Sequence, residues 1–173
     1  MARALLLQGP VGSGKTTTLH EIGAILDAQG VANAIIDLDW LAWASPVHGS
    51  VHDLLVRNLA AVWANLHEAG VEHVALARGL RDADEVASVR AALAGCETFV
   101  VDFTGDADEL RERIRRRDAG HELEEHLAML DAWAAEDGAA AIADAVVPID
   151  GKTPRQLALD VLGAAGWPLR GAL

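Results

Sequence analysis

The sequence contains a single cysteine, Cys96, which excludes a disulfide framework and a cysteine-based metal cluster. It also has no apolar run long enough to span a membrane. These two absences predict a soluble cytoplasmic protein that has no membrane partner.

Basic residues are scarce as well. The chain has 14 Lys and Arg against 26 Asp and Glu, which gives a formal net charge of −12. A nucleic-acid-binding surface would need a basic stripe to offset the phosphate charge, so the composition argues against a nucleic-acid partner. Any phosphorylated ligand must therefore be attracted by local clusters of positive charge.

Apolar residues, in contrast, are abundant. They make up 51% of the 173 residues, and the mean hydropathy is +0.19. A chain of this length can bury a sizeable core and by default forms one domain, here residues 1–173. We find no internal repeat and no low-complexity linker that would divide it.

Residues 9–16 read Gly-Pro-Val-Gly-Ser-Gly-Lys-Thr, which is the G-x-x-x-x-G-K-T phosphate-binding loop, or Walker A motif. The glycines let successive backbone N–H groups point inward and form an anion-binding nest. Lys15 is a compact cation for the β- and γ-phosphates, and the Thr16 hydroxyl can ligate Mg²⁺. A glycine-rich turn could match the pattern by chance, but an apolar run precedes the loop and a helical pattern follows it, as the motif requires.

Strand and helix patterns alternate along the chain. Such alternation predicts an α/β fold in which a five-stranded parallel sheet carries helices on both faces. Ligands then bind at the carboxyl ends of the strands. The predicted strands are Ala4–Leu7, Asn33–Asp39, Glu72–Ala77, Glu97–Phe103 and Ala145–Ile149. Helices are expected after the phosphate loop, after the caps Ser50, Asp82, Asp106 and Thr153, and over residues 122–137.

Two acids, Asp37 and Asp39, end the second predicted strand. Residues two apart in a strand point the same way, so both carboxylates are expected to face the phosphate cleft. Alternatively, they only cap a turn at the end of the strand. Trp40 and Trp43 follow; they could stack on a planar acceptor, but packing in the core is the interpretation we favour.

Arginines are the candidate anion ligands. Arg113 and Arg117 are four residues apart and therefore lie on one face of their predicted helix. A solvated, salt-bridged helix is the alternative, and Glu109 is well placed to pair with Arg113; the adjacent phosphate loop favours function. Arg78, at the end of the third strand, could bind substrate or simply lie on the surface.

Together, the phosphate loop, the D-x-D after the second strand and the R-x-x-x-R helix after the fourth resemble the small P-loop kinases. These are the shikimate, gluconate and adenylylsulfate kinase relatives, which have the nucleoside-monophosphate-kinase fold. Residues 105–117 are particularly similar to the lid-helix segment of gluconate kinases, and residues 144–154 to their last strand and helix. The resemblance covers nearly the whole chain and implies a three-layer P-loop fold with a short helical lid at about residues 105–121.

The resemblance also implies roles for individual residues. Mg²⁺-ATP would bind to Gly9, Gly12, Ser13, Gly14, Lys15, Thr16, Thr17, Arg113 and Asp150. Thr16 and Asp37 would hold the metal, and Asp39 would contact the acceptor; Trp40 and Arg78 remain candidate acceptor contacts on the grounds given above. The catalytic residues would be Lys15, Asp39, Arg113 and Arg117. No acid ends the third strand, where a Walker B residue usually lies, which shifts the metal role toward Asp37.

The resemblance thus implies an ATP-dependent phosphotransferase that acts on a hydroxyl of a small metabolite, as a monomer or a homodimer. A nucleotide-hydrolysing switch and a non-catalytic, regulatory nucleotide-binding module are the alternatives. The acceptor could be a sugar acid, adenylylsulfate, a nucleotide or an antibiotic hydroxyl, and the sequence does not choose among them.

Overall fold

A computed structural model describes residues 1–45, 48–80, 82–135 and 142–168. Within these ranges the chain forms strands and helices in alternation, as predicted. The strands are β1 Ala2–Gln8, β2 Asn33–Asp37, β3 His73–Ala77, β4 Cys96–Thr104 and β5 Ala145–Pro148. The α-helices are α1 Lys15–Ala28, α2 Val51–Glu68, α3 Ala83–Ala92, α4 Ala107–Arg117, α5 Gly120–Ala135 and α6 Pro154–Ala164, and Leu38–Ala42 forms a short 3₁₀ helix.

The five strands pair in parallel in the order β2-β3-β1-β4-β5. Parallel neighbours need crossover connections, which the helices supply on both faces of the sheet. In the central strand β1, Leu5 and Leu7 face one apolar core while Ala4 and Leu6 face the other. Because both faces are covered, the centre of this strand, Ala4–Leu7, is apolar on both sides, and the predicted three-layer α/β fold is confirmed.

Local capping sets where several helices begin. The Asp82 carboxylate accepts a hydrogen bond of 2.8 Å from the Glu85 N–H. Asp106 caps α4 by the same kind of bond. Thr153 and Gln156 form a reciprocal capping box at the start of α6. The helix starts expected from these caps are therefore confirmed.

The second strand is shorter than predicted, because it ends at Asp37 instead of Asp39. One Asp37 carboxylate oxygen accepts a bond of 3.1 Å from the Asp39 N–H and so caps the 3₁₀ helix. The side chain of Leu38, between the two acids, is fully buried and holds this turn against the core. The expected strand alternation between Asp37 and Asp39 is therefore wrong.

The break between α4 and α5 falls where it was predicted. Asp118 ends α4, and α5 begins at Gly120, whose φ of 60° is a backbone conformation that glycine adopts easily. The predicted end of this helix at Asp137 lies outside the described residues. Among the helices of the described ranges, none is long and apolar enough to cross a membrane.

Candidate active site

The phosphate-binding loop connects β1 to α1 and is held between β4 and α4. Gly9 and Gly12 have φ values of 140° and 82°. A Cβ atom at Gly9 would lie 2.9 Å from the Phe103 Cβ, and one at Gly12 would lie 3.0 Å from the Ile114 Cγ1. These glycines are therefore required both by the backbone conformation and by the close neighbours.

Lys15 lies over this loop. Its ammonium group donates hydrogen bonds of 2.8 Å to the carbonyl oxygens of Gly9 and Pro10. Burial lowers the pKa of Lys15 to about 8, although the Asp39 and Asp37 carboxylates partly oppose the shift. The loop thus holds a buried ammonium group whose charged form would be stabilised by a further anionic partner.

Two hydroxyl groups beside the loop are buried without a hydrogen-bond partner in the described part of the chain. They belong to Ser13 and Thr18, and both residues line a cavity of about 330 Å³. Buried polar groups are normally paired, so these two hydroxyls make the cavity a candidate site for a polar ligand. The cavity is lined by Gly12, Ser13, Gly14, Thr17, Thr18, Arg113, Arg117, Lys152, Pro154 and Leu157.

Both predicted arginines face this cavity, but each also has an acidic partner. Arg113 pairs with Glu109 at 2.5 Å, and Arg117 pairs with Asp118 at 2.6 Å. The salt-bridged interpretation therefore describes both residues, while their role as ligands of an anion stays a prediction. Asp150 is not among the lining residues, and its carboxylate accepts a bond of 3.1 Å from the Asp106 N–H.

Thr16 and Asp37 form an oxygen pair at the start of α1. The Thr16 hydroxyl donates a hydrogen bond of 2.8 Å to Asp37 Oδ2, while Oδ1 of the same carboxylate caps the 3₁₀ helix. Asp37 therefore does both things that the sequence left as alternatives: it caps a turn and it faces the phosphate loop. A hydroxyl beside a carboxylate is a donor set that suits Mg²⁺.

Asp39 lies on the same side of the loop as Asp37. It does so from the 3₁₀ helix and not, as predicted, from the end of the second strand. Its Oδ1 atom is 3.2 Å from Arg78 Nη1. Burial raises the pKa of Asp39, Arg78 lowers it and the nearby Asp37 raises it further. The structure thus brings Lys15, Asp37, Asp39 and Arg78 together at the carboxyl ends of β1, β2 and β3.

The two tryptophans after Asp39 do not pack in the core, so the favoured interpretation is wrong. Trp40 is 70% exposed and Trp43 is 77% exposed. The 3₁₀ helix turns its apolar side, formed by Leu38 and Ala42, toward α2, which leaves both indoles outside. Their rings stack on each other with centroids 5.2 Å apart.

Three residues near the site were not found from the sequence. Asp102 on β4 pairs in register with Gln8, and its Oδ1 atom is buried without a partner in the described ranges. Burial raises its pKa, which Lys15 counteracts. Asp118 and His126 lie behind Arg117, with His126 Nδ1 2.7 Å from Asp118 Oδ2. The available signals were an acid within an apolar strand and an acid directly after the arginine run.

A second cavity, of about 400 Å³, lies between the start of α2 and α3. It is lined by His48, Gly49, Ser50, His52, Asp53, Val56, Arg57 and Ser88. Within it, His52 Nε2 lies 2.6 Å from the Ser88 hydroxyl. This cavity is separate from the one lined by the phosphate loop, because the two share no residue.

Comparison with solved structures identifies the fold, although no protein-family model and no curated protein matches the sequence. A sugar kinase from Janibacter sp. superposes with a TM-score of 0.67 and 19% identity, covering 96% of this chain and 95% of that one. A gluconokinase from Sinorhizobium meliloti superposes with a TM-score of 0.63 and 19% identity, covering 95% of this chain and 91% of the gluconokinase. The tunicamycin resistance protein of Deinococcus radiodurans superposes with a TM-score of 0.64 and 16% identity, covering 99% of this chain and 100% of the resistance protein. The chain therefore has the fold of the small P-loop kinases over nearly its full length, as its motifs predict.

Proposed function

We propose that this protein is an ATP-dependent kinase that transfers the γ-phosphoryl group to a hydroxyl of a small metabolite. The observation that carries the proposal is the convergence on one loop of a lysine, a hydroxyl–carboxylate pair and two arginines. The structural neighbours that are a sugar kinase and a gluconokinase support it. The glycine-rich loop alone would support any nucleotide-binding protein, whereas the additional acid beside Arg78 favours an acceptor site.

The triphosphate would occupy the anion nest of the loop, with Lys15 exchanging its carbonyl partners for phosphate oxygens. Ser13 lines the adjoining cavity, and its buried hydroxyl has no hydrogen-bond partner among the described residues. Arg113, Arg117 and Lys152 line the same cavity. Each of them also has an acidic partner, respectively Glu109, Asp118 and Asp160, so a bound triphosphate would compete with these carboxylates for the three cations.

Thr16 and Asp37 would hold Mg²⁺, because their oxygen atoms are already paired at 2.8 Å beside the loop. The bound metal would neutralise negative charge on the phosphates. Asp37 is fixed by the Asp39 N–H on its other side, so its carboxylate is oriented before any ligand arrives.

Asp39 is the proposed acceptor-side base. In the transfer, the acceptor oxygen forms a bond to the γ-phosphorus while the bond from that phosphorus to the β–γ bridging oxygen breaks. The hydroxyl proton passes to the Asp39 carboxylate, and ADP leaves. A carboxylate whose pKa is raised by burial is a better proton acceptor near neutral pH, and Arg78 fixes its orientation.

The packing of α4 limits which part of the proposed lid, residues 105–121, can move. Leu110 and Ile114 are buried, and Ile114 contacts the phosphate loop at Gly12. The first two turns of α4 would therefore stay in place. Closure over the nucleotide would come from the junction with α5, at residues 115–121, where the helix breaks at Asp118.

The test is acceptor-dependent ADP production by the full chain with Mg²⁺ and ATP. A panel of sugar acids, sugars, nucleosides and other small alcohols should contain acceptors that stimulate ADP release above the background rate. Lys15→Ala should abolish the stimulated rate, whereas Arg90→Ala, on helix α3, none of whose residues line the nucleotide cavity, should not. Equal ADP release with and without every acceptor would indicate a nucleotide-hydrolysing or regulatory protein instead.

A further inference from the structure

Trp40, on the 3₁₀ helix, and Trp43, directly after the last residue of that helix, form an exposed aromatic surface. Their ring planes are 18° apart at a centroid distance of 5.2 Å, and each residue keeps more than two thirds of its surface in solvent. Trp63 and Trp167, in contrast, are each only 3% exposed. Adjacent exposed indoles are uncommon in a folded monomer, and contiguous apolar patches of this kind mark binding sites.

The backbone beneath this surface is fixed. Leu38 and Ala42 are buried against α2, and Asn58 of that helix donates a bond of 2.6 Å to the Leu41 carbonyl oxygen. The two indoles also restrict each other by stacking. The surface is therefore held open, and little conformational entropy would be lost when a ligand binds to it.

The position of the surface connects it to the proposed transfer site. Trp40 directly follows Asp39, whose carboxylate interacts with both Arg78 and Lys15. The nucleotide cavity lies on the α4 and α6 side of the loop, because its lining residues come from those elements and from α1. In the chain, the indoles thus follow the proposed acceptor-side acid, whereas neither Trp43 nor any residue of the 3₁₀ helix is among those that line the nucleotide cavity.

We infer that Trp40 and Trp43 bind a planar, apolar group carried by the acceptor next to its reactive hydroxyl. This inference rests on the proposed function and narrows its acceptor class. The acceptor is an alcohol with an aromatic or conjugated ring, and a bare polyol or sugar acid lacks the group that the indoles contact. Stacking on an aromatic face contributes beyond the burial of area, and we expect about a tenfold gain for a ring-bearing acceptor.

Matched acceptors test the inference. Glycerol is compared with 3-phenoxypropane-1,2-diol, and methyl β-D-glucoside with 4-nitrophenyl β-D-glucoside, by acceptor-dependent ADP production. We expect the ring-bearing member of a pair to have a kcat/KM about tenfold higher, mostly through KM. The preference should disappear in Trp40→Ala and Trp43→Ala and largely survive in Trp40→Phe and Trp43→Phe. Met129→Ala, which truncates an exposed apolar residue on α5, should keep it.

A binding measurement covers the case in which none of these alcohols is phosphorylated. Saturation-transfer NMR with 4-nitrophenyl β-D-glucoside should show contact of its ring with the wild-type protein and loss of that contact in both alanine variants. If the ring contacts wild type and variants equally, or contacts neither, the inference is wrong. Because this readout needs no ATP, it separates failure of the aromatic site from failure of the kinase proposal.

Two further outcomes would overturn the inference while leaving the kinase proposal intact. One is efficient phosphorylation of a ring-free acceptor at a rate that Trp40→Ala and Trp43→Ala do not change. The other is that a second copy of the chain covers the indoles. Light scattering would then show a dimer that becomes a monomer in the two alanine variants but not in Met129→Ala.

Discussion

Arg117 forms a two-point ion pair with the residue that follows it, Asp118. The Nε–Oδ1 and Nη2–Oδ2 distances are 2.6 and 2.8 Å, and the Asp118 side chain is only 3% exposed. Hydrogen bonding to Arg117 lowers the pKa of Asp118 to about 2, with a smaller contribution from His126. A buried carboxylate at the break between α4 and α5 therefore orients a guanidinium that lines the nucleotide cavity.

This pair gives a prediction about stability. Asp118→Asn keeps the shape of the side chain but removes its charge, and it should lower the free energy of unfolding by about 1–3 kcal/mol at neutral pH. The contribution of Asp118 is present above its unfolded-state pKa of about 3.9 and is lost as pH falls toward 2. The difference between wild type and variant should therefore shrink between about pH 4 and pH 2.

Denaturant unfolding at several pH values measures this effect. Asp108→Asn is the matched control, because Asp108 is an almost fully exposed acid that also pairs with an α4 arginine, Arg111. Exposed pairs contribute about 0–1 kcal/mol, so the control should change stability little. Equal losses in the two variants would mean that the Arg117–Asp118 pair has no special role in holding the α4–α5 junction.

Lys15 gives a prediction about nucleotide affinity. Its pKa of about 8 means that the free protein loses the ammonium charge at mildly alkaline pH, whereas a bound triphosphate favours the charged form. Affinity for Mg²⁺ with a non-hydrolysable ATP analogue should therefore be constant below about pH 8 and fall up to tenfold per pH unit above it.

Calorimetry from about pH 7 to about pH 9.5 tests this, and binding should take up a proton at the alkaline end. Lys15→Met cannot titrate, so it should bind more weakly at neutral pH and show no such dependence. A flat wild-type profile over this range would contradict the lowered pKa and the contact between Lys15 and phosphate.

The sequence predicted the parts of the site that depend on short stretches of chain. The phosphate loop is a contiguous motif, and the helices at Asp82 and Asp106 begin where a side chain can cap its own backbone. Asp39 was placed by strand alternation, which fails because the Asp37 carboxylate caps a turn and ends the strand first. The outward position of Trp40 follows from that same turn, so this position could not be predicted without knowing that the turn forms.

Residues that act across elements were not predictable in the same way. Asp102 is notable because it pairs in register with Gln8 and lies near Lys15, and neither relationship appears in the local sequence. The contact between Asp118 and His126 depends on how α5 folds back after Gly120. The sequence predicted the order of the elements, and the contacts between their ends needed the structure.

The lid proposal predicts a boundary in mobility within the segment 105–121. Amides of the α4 turns that contain Leu110 and Ile114 should exchange slowly with or without nucleotide, because these side chains are buried against the core and the phosphate loop. Amides at residues 115–121 should exchange faster in the free protein and slow when Mg²⁺ and an ATP analogue are added. Uniform exchange across the boundary, unaffected by nucleotide, would leave no role for a lid.

The last prediction separates Asp37 from Asp39. Asp37 contacts the Thr16 hydroxyl at 2.8 Å, so Asp37→Asn should raise the Mg²⁺ concentration needed for nucleotide binding as well as for transfer. Asp39 contacts Arg78 and directly precedes Trp40, and we propose it as the base on the acceptor side. Asp39→Asn should therefore reduce transfer by about 10²–10⁴-fold, the usual contribution of a general base. Its Mg²⁺ dependence for nucleotide binding should stay like that of wild type.

Both variants exchange a carboxylate for an amide of the same shape, so each serves as the other's control. Mg²⁺ titrations of analogue binding and of acceptor-dependent ADP release measure the two roles separately. A shifted Mg²⁺ dependence in Asp39→Asn alone would reverse the assignment. Full activity in both variants would leave Asp37 as a turn cap and place the base elsewhere. Asp102, whose pKa is raised by burial and which interacts with Lys15, would then be the next carboxylate to replace.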